Sequence, residues 1–314
     1  MTAQPTIAAQ PSPWRARKRS LFLSCAMGAM LAIAAPPRAA SAQSLAFQGS
    51  PTVDFGGASI DRTVSDRDLI TVSTPTAVIN WSPLDTTGTG TIDFLPFGAT
   101  ATFQNDPANP DFFVLNRIVP TDTSRPIAFN GDVVSRLRDA AGVVTGPGGS
   151  VAFYSPGGII VGSTATFDVG NLLLTTLDPV RDPTGDFVGS LGGLSLVGVP
   201  NSSSAIVVEP GARIDALAEG SYIAMAAPRI DQGGDVRVNG SAGYVAAEVV
   251  DLFIDDGLFD ITVQAGTSVS TPISHTGSTG GPPSSDIGDY HNIYMVAVPK
   301  NQAITMMLSG SVGF

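Results

Sequence analysis

The side chains with most chemistry to offer are few. Four aspartates, Asp251, Asp255, Asp256 and Asp260, crowd into "DLFIDDGLFD". Clustered carboxylates on one face of a stack can cleave polysaccharides, one as general acid and another as base or nucleophile. Asp255-Asp256-Gly257 also has the composition of a corner turn, and turn chemistry favours that reading. Asp168, Asp178 and Asp215 recur near strand ends, where carboxylates cap backbone donors. His275 and His291 are the only histidines. Both fall in or beside a Ser/Gly-rich stretch and lack a nucleophile partner, which argues against a Ser-His-Asp site and against a metal site. The glycines of "FYSPGGIIVGSTATFDVG" (153–170) lack the Gly-Lys-Ser/Thr ending of a phosphate loop. "QGGDVR" (232–237) does not continue a calcium-binding nonapeptide. The sequence calls for no cofactor and no metal.

The bulk composition points to short strands and away from nucleic acid. The chain has 314 residues with 35 Gly and 24 Pro, and only 14% are charged. Gly supplies positive φ and Pro pre-sets turn dihedrals, so this composition suits many short strands and tight turns. The N-terminus has the layout of a secretory signal over residues 1–42. Arg15, Arg17, Lys18 and Arg19 precede an apolar run from Leu21 to Ala35, and Ala40-Ser41-Ala42 is a small-x-small cleavage site. A transmembrane anchor is the alternative, but fifteen residues ended by Pro36-Pro37 are short for a span. The single cysteine, Cys25, lies inside that signal, so a disulfide framework and a thiol nucleophile are excluded from the mature chain. After residue 42 there remain 11 basic and 27 acidic residues, a balance of −16. Such a chain repels nucleic acid and anionic lipid.

The elements that must carry these residues are short β-like runs. "LITVSTPTAVINWS" (69–82), "GTGTIDFLPFGATATFQ" (88–104) and "DFFVLNRIV" (111–119) are bounded by Gly, Pro, Asp and Asn. "DVVSRLRDAAG" (132–142) is the one helix-like piece, read as an exposed helical turn or a loop. In the second half "GSVAFYSPGGI" (149–159), "GSYIAMAAPRI" (220–230) and "AGYVAAEVVDL" (242–252) align without gaps, with Tyr222 and Tyr244 as matched positions. Between them Ala165/Phe167/Val169, Ala212/Ile214/Ala216 and Val236/Val238 place apolar residues at every second position. A period of 20–25 residues built from short strands indicates a β-solenoid in preference to a β-sandwich. Ala224, Ala226 and Ala246 would fit its narrow interior. Residues 266–292, rich in Ser, Thr, Gly and Pro, read as a loop extruded from the stack. Residues 293–314 resume the strands and are expected to stop in mid-solenoid.

Residues 43–265 resemble the N-terminal secretion domain of the filamentous haemagglutinin type, the haemagglutination activity domain of bacterial two-partner secretion. "ITVSTPTAVINW" (70–81), ending at Trp81, is similar to a family segment that ends in isoleucine, a polar residue and tryptophan. "FFVLNRIV" (112–119) is similar to the Leu-Asn-Arg segment, here Leu115, Asn116 and Arg117. "SPGGIIVGSTATFDVGNLLLTTLD" (155–178) is similar to a stretch that begins Asn-Pro-Asn-Gly-Ile, here Ser155, Pro156, Gly157, Gly158 and Ile159, and ends at Thr176, Leu177 and Asp178. Both asparagines of that turn are replaced. The Ser155 hydroxyl is expected to substitute in part for the first, and the glycines to supply the turn geometry. A second motif, Asn-Pro-Asn-Leu, has only "ANPDFF" (108–113) as a weak counterpart.

The resemblance implies an all-β fold, a right-handed single-stranded parallel β-helix with extra capping strands at its N-terminal end. It implies a route through the Sec machinery to the periplasm of a Gram-negative cell. There an Omp85-type outer-membrane transporter would recognise the chain through its periplasmic domains. The product would be an adhesin-like protein, secreted or on the cell surface, with contact to host or neighbouring cells as a further expectation. Strands 69–82 and 88–104 are the candidates for pairing with the transporter by strand addition. The alternative function is a β-helical polysaccharide lyase or hydrolase.

Overall fold

The computed structural model describes residues 44–84, 88–188, 193–255, 258–285 and 290–314. The signal segment, with Ala40 and Ala42, lies outside these residues, as does Asp256. Every regular element among the described residues is a strand. Three strands open the fold: β1 (Gly49–Phe55), β2 (Ala58–Asp61) and β3 (Arg67–Val72). Seven coils follow, each contributing one strand to each of three faces. The first three coils are β4 (Thr76–Pro83), β5 (Ile92–Leu95) and β6 (Thr100–Asn105); β7 (Phe113–Ile118), β8 (Ile127–Phe129) and β9 (Asp132–Arg138), which hairpins into β10 (Val144–Pro147); and β11 (Ser150–Tyr154), β12 (Ile159–Val161) and β13 (Thr166–Asp168). The fourth starts with β14 (Asn171–Thr175), detours through β15 (Asp178–Pro179) and β16 (Leu194–Val197), and resumes with β17 (Ala205–Val208). The long strand β18 (Arg213–Ala227) closes that coil and opens the fifth. Then come β19 (Arg229–Gln232) and β20 (Asp235–Ala246), which likewise turns into the sixth coil. A hairpin of β21 (Val249–Asp255) and β22 (Leu258–Ala265) precedes β23 (Ile273–His275) and β24 (Ser278–Gly280). The last coil is β25 (Ile293–Ala297), β26 (Met307–Leu308) and β27 (Ser311–Gly313).

Strands on each face pair in parallel with the coils before and after, which makes the molecule a parallel β-helix. At the N-terminal end the pairing turns antiparallel, β1 on β4 and β2 on β3. These are the capping strands. The interior is a set of ladders. On the second face Ile92, Ile127, Ile159, Ile206, Ile230 and Ile273 occupy successive rungs and are all buried. Burying one such side chain contributes about 1.5–3 kcal/mol. β-Branched chains also suit the pleated surface sterically. On the third face Ala101, Val133, Phe167, Ile214 and Val236 form a second ladder. Ala165, Phe167 and Val169 face inward with it.

A second apolar layer lies outside the stack. β15, β16, β21 and β22 form a four-stranded antiparallel sheet. Its Leu196, Val250 and Leu252 share a cluster with Leu115, Leu173, Ala224, Ala226 and Val245 of the first face. The first-face strands β11 and β14 and the first-face parts of β18 and β20 are therefore buried on both sides along most of their length.

Four sequence expectations need correction. Residues 132–138 form strand β9, because Val133 and Ser135 point inward at a period of two and pair with the coils on either side. The 266–292 loop contains β23 and β24, whose backbone groups pair with β19 and β20. Ser- and Thr-rich sequence is compatible with stacking here because Ile273, His275 and Thr279 occupy the inward positions. The gapless alignment of the second-half units is out of register. Ser150 is stacked in register with Asn171, Tyr222 and Ser241, and Tyr244 lies beside Met225. Tyr244 stands three residues beyond Ser241, the rung partner of Tyr222, and an odd offset reverses the face, so Tyr244 is interior while Tyr222 packs against the outer layer. For the same reason Ala224 and Ala226 lie under the outer sheet, and only Ala246 is inside.

Candidate functional site

The sequence landmarks come from three separated segments, and the fold gathers them at the corner that follows the first face. Trp81 lies near the end of β4 and points inward, next to the inward Asn116 of β7. Its indole Nε1 donates to Asn116 Oδ1 at 3.0 Å, and Asn116 Nδ2 donates to the Ala152 carbonyl of the next coil at 3.2 Å. Asn116 is fully buried, so each polar atom it brings inside has to be matched. Leu115 and Arg117 point outward from the same strand. Leu115 joins Leu177 in the outer layer.

Arg117 reaches Asp178 at the start of β15, with Nε–Oδ1 3.2 Å and Nη2–Oδ2 2.5 Å. This forked pairing matches guanidinium to carboxylate geometry. The guanidinium carbon lies 5.4 Å from the Tyr154 ring centroid. Burial, reinforced by the Asp178 carboxylate and opposed by Arg117, pushes the Tyr154 hydroxyl up to about 12. Between Tyr154 and Asp178 the chain is held by local bonds. Thr175 Oγ1 accepts from Leu177 N at 2.9 Å, Thr176 N donates to the Ala226 carbonyl, and Ser204 Oγ donates to Thr176 Oγ1 at 3.0 Å.

The Ser155–Ile159 turn joins β11 to β12. Gly158 N donates to the Ser155 carbonyl at 3.4 Å, and Gly158 has φ +128°, which L side chains rarely adopt. A Cβ on Gly157 would lie 2.2 Å from the Arg125 carbonyl of the coil below, so that position admits no side chain. Pro156 and Gly157 form one wall of an open cavity of about 500 Å3, with Pro126, Ser202 and Arg229 among its other walls. The expectation that the Ser155 hydroxyl replaces an asparagine bond is corrected: its Oγ is buried and makes no hydrogen bond. Glycine geometry and Ile159, stacked between Ile127 and Ile206, hold this turn instead.

Of the carboxylates considered for glycan chemistry, Asp251 and Asp260 stay together on one face of the β21–β22 hairpin, Asp260 opposite Phe253 and Asp251 two residues along. Asp251 accepts from Gln264 Nε2 at 2.8 Å on the outer hairpin, and Asp260 is exposed on β22. Asp168 pairs with Arg136, and Asp215 with Arg213. The described residues contain no group of three or more His, Cys, Asp or Glu able to hold a metal ion. In the folded chain both edges of β3 and β4 are taken, by β2 and β6 and by β1 and β7.

A set of residues at the N-terminal end drew no notice in the sequence. Asp68 is buried and accepts from Phe47 N at 3.0 Å and from Arg62 Nε at 3.0 Å. Arg62 Nη1 donates to the Gly49 carbonyl at 2.8 Å. The clamp holds Phe47 in the mouth of the stack, against Trp81 and Phe94 at centroid distances of 4.9 Å. An Arg and an Asp six residues apart carry no signal of this in the sequence, because the partner is a turn 13–22 residues earlier.

Comparison with solved structures then becomes decisive for the fold. The HMW1 secretion domain from Haemophilus influenzae superposes with a TM-score of 0.51 at 16% identity, over 84% of this chain and 64% of that one. The chain has the fold of that secretion domain. It spans less than two thirds of the HMW1 domain's length. The filamentous hemagglutinin secretion domain aligns over 87% of this chain and all of its own, with 13% identity and a TM-score of 0.40. No family model and no curated protein matches the sequence.

Proposed function

We propose that this chain is the export-targeting domain of a secreted or surface-exposed adhesin-like protein. In this reading it reaches the periplasm through the Sec machinery and is recognised there by the periplasmic domains of an Omp85-type outer-membrane transporter. The observation that supports it most is the convergence of the landmarks on a β-helix with the HMW1 secretion-domain fold. Trp81, Asn116, Arg117, Asp178 and the Ser155–Ile159 turn are as much as 97 residues apart in the chain, yet are linked by hydrogen bonds, an ion pair and adjacent rungs. In this reading β23–β27 continue the same domain, and the signal and cleavage site at Ala40–Ala42 belong to the proposal.

The test is export in a pair of strains. The chain is expected outside the cell when its cognate transporter is present. It should stay in the periplasm and be degraded when every Omp85-type partner transporter is deleted. Normal release from the deleted strain refutes the reading.

A further inference from the structure

The interior of the stack holds one imidazole. His275 points inward from β23, fully buried, with Gln232 of the coil before and Leu308 of the coil after as rung neighbours. Its Nε2 lies 2.8 Å from Thr279 Oγ1, which lies 2.7 Å from the Tyr244 hydroxyl. The Tyr244 and His275 rings meet edge to face at 6.0 Å. His275 Nδ1 and Gln232 Oε1 are buried without hydrogen bonds. The Gln232 amide nitrogen is already committed to the carbonyls of Gly234 and Ser278.

A protonated imidazole carries two donors and a charge; Gln232 Oε1 on the neighbouring rung and the ring's own backbone are acceptors, but no anion faces the ring to offset the buried charge. The charged groups of the packed strands lie at the outward positions. On β19 Arg229 and Asp231 pair with each other at 2.7 Å. On β20 Asp235 accepts from the Ser278 hydroxyl, and Arg237 faces Asp215 at 3.8 Å. β23, β24, β25 and β26 contribute no other charged residue. Tyr244 is the titratable group that does face the ring, and burial raises its pKa, so it stays neutral. Burial likewise pushes His275 below the ordinary imidazole range, partly opposed by a contact with its own backbone.

We propose that His275 is a pH-sensitive latch: neutral, it lets the last two coils close; protonated, it opens them while the coils before them stay intact. The sign follows from linkage. The folded state disfavours the proton, whereas the unfolded side chain takes it up near pH 6.5. The stabilisation is therefore fully present above about pH 6.5. It is lost as pH falls from there through the folded-state value.

Hydrogen exchange, expressed as protection factors, tests this between pH 7.5 and 5, above the range where ordinary aspartates titrate. Wild type is expected to lose protection in β23–β27 by up to about tenfold per pH unit below 6.5, while β7–β14 hold theirs. His275→Gln, uncharged throughout, is expected to show no such dependence. Unchanged protection in wild type, or the same dependence in His275→Gln, overturns the proposal. Should His275→Gln fail to fold, titration of the wild-type ring protons by NMR decides. A midpoint below 6.5 supports the latch, and one at or above 6.5 overturns it.

Discussion

Asn116 shows how the stack admits a polar residue to its interior. It is a polar side chain in an inward position, tolerated because the Trp81 indole and the Ala152 carbonyl use both ends of its amide. Asn116→Leu is expected to lower stability by about 1–3 kcal/mol for each buried group left unmatched, measured by urea unfolding. Trp81→Phe added to that variant should recover part of the loss, because it removes the stranded donor. Ser155→Ala has the opposite logic. The hydroxyl is buried without a partner, so its removal should leave the urea midpoint unchanged or raise it; a loss above about 1 kcal/mol would reveal a bond the geometry does not contain. Both residues were picked out in the sequence as landmarks. Their environments were not legible there, because the partners of Asn116 sit 35 and 36 residues away.

At the scale of elements, most strands were legible as short runs bounded by turn residues, while their register was not. The isoleucine ladder shows why. Its members stand at 92, 127, 159, 206, 230 and 273, at unequal intervals, because corners and detours of different length separate equivalent rungs. A fixed period of 20–25 residues therefore appears only where a coil is bare, as from Val151 to Leu172. The same irregularity let Tyr222 and Tyr244 look equivalent when they lie on opposite faces. The turn between β11 and β12 gives an element-scale prediction. Gly157→Ala forces a carbon against the Arg125 carbonyl, and rigid backbone on both sides leaves it no escape. Overpacking of this kind costs about 1–3 kcal/mol, visible as a lower thermal midpoint with unchanged strand content by circular dichroism.

For the whole molecule, the solenoid class could be read from the repeats and the Gly/Pro-rich composition, but neither the N-terminal plug nor the outer sheet could. Both depend on contacts that no local pattern encodes. Phe47 lies on the chain just before β1 and fills the mouth of the stack. Phe47→Ala is expected to cost about 3–5 kcal/mol and to expose Trp81, read as a red shift of its fluorescence. The outer sheet has a different consequence, in time. β15 and β16 leave the stack in the fourth coil, but the strand that completes their pairing, β21, is made only after four more strands of the stack. Delivered from its N-terminus, the chain can lay down each coil on its predecessor at once, yet Leu196 must wait, uncovered, for Val250. The coils thus record local progress, and the outer sheet works as a delayed seal that registers when the sixth coil has arrived.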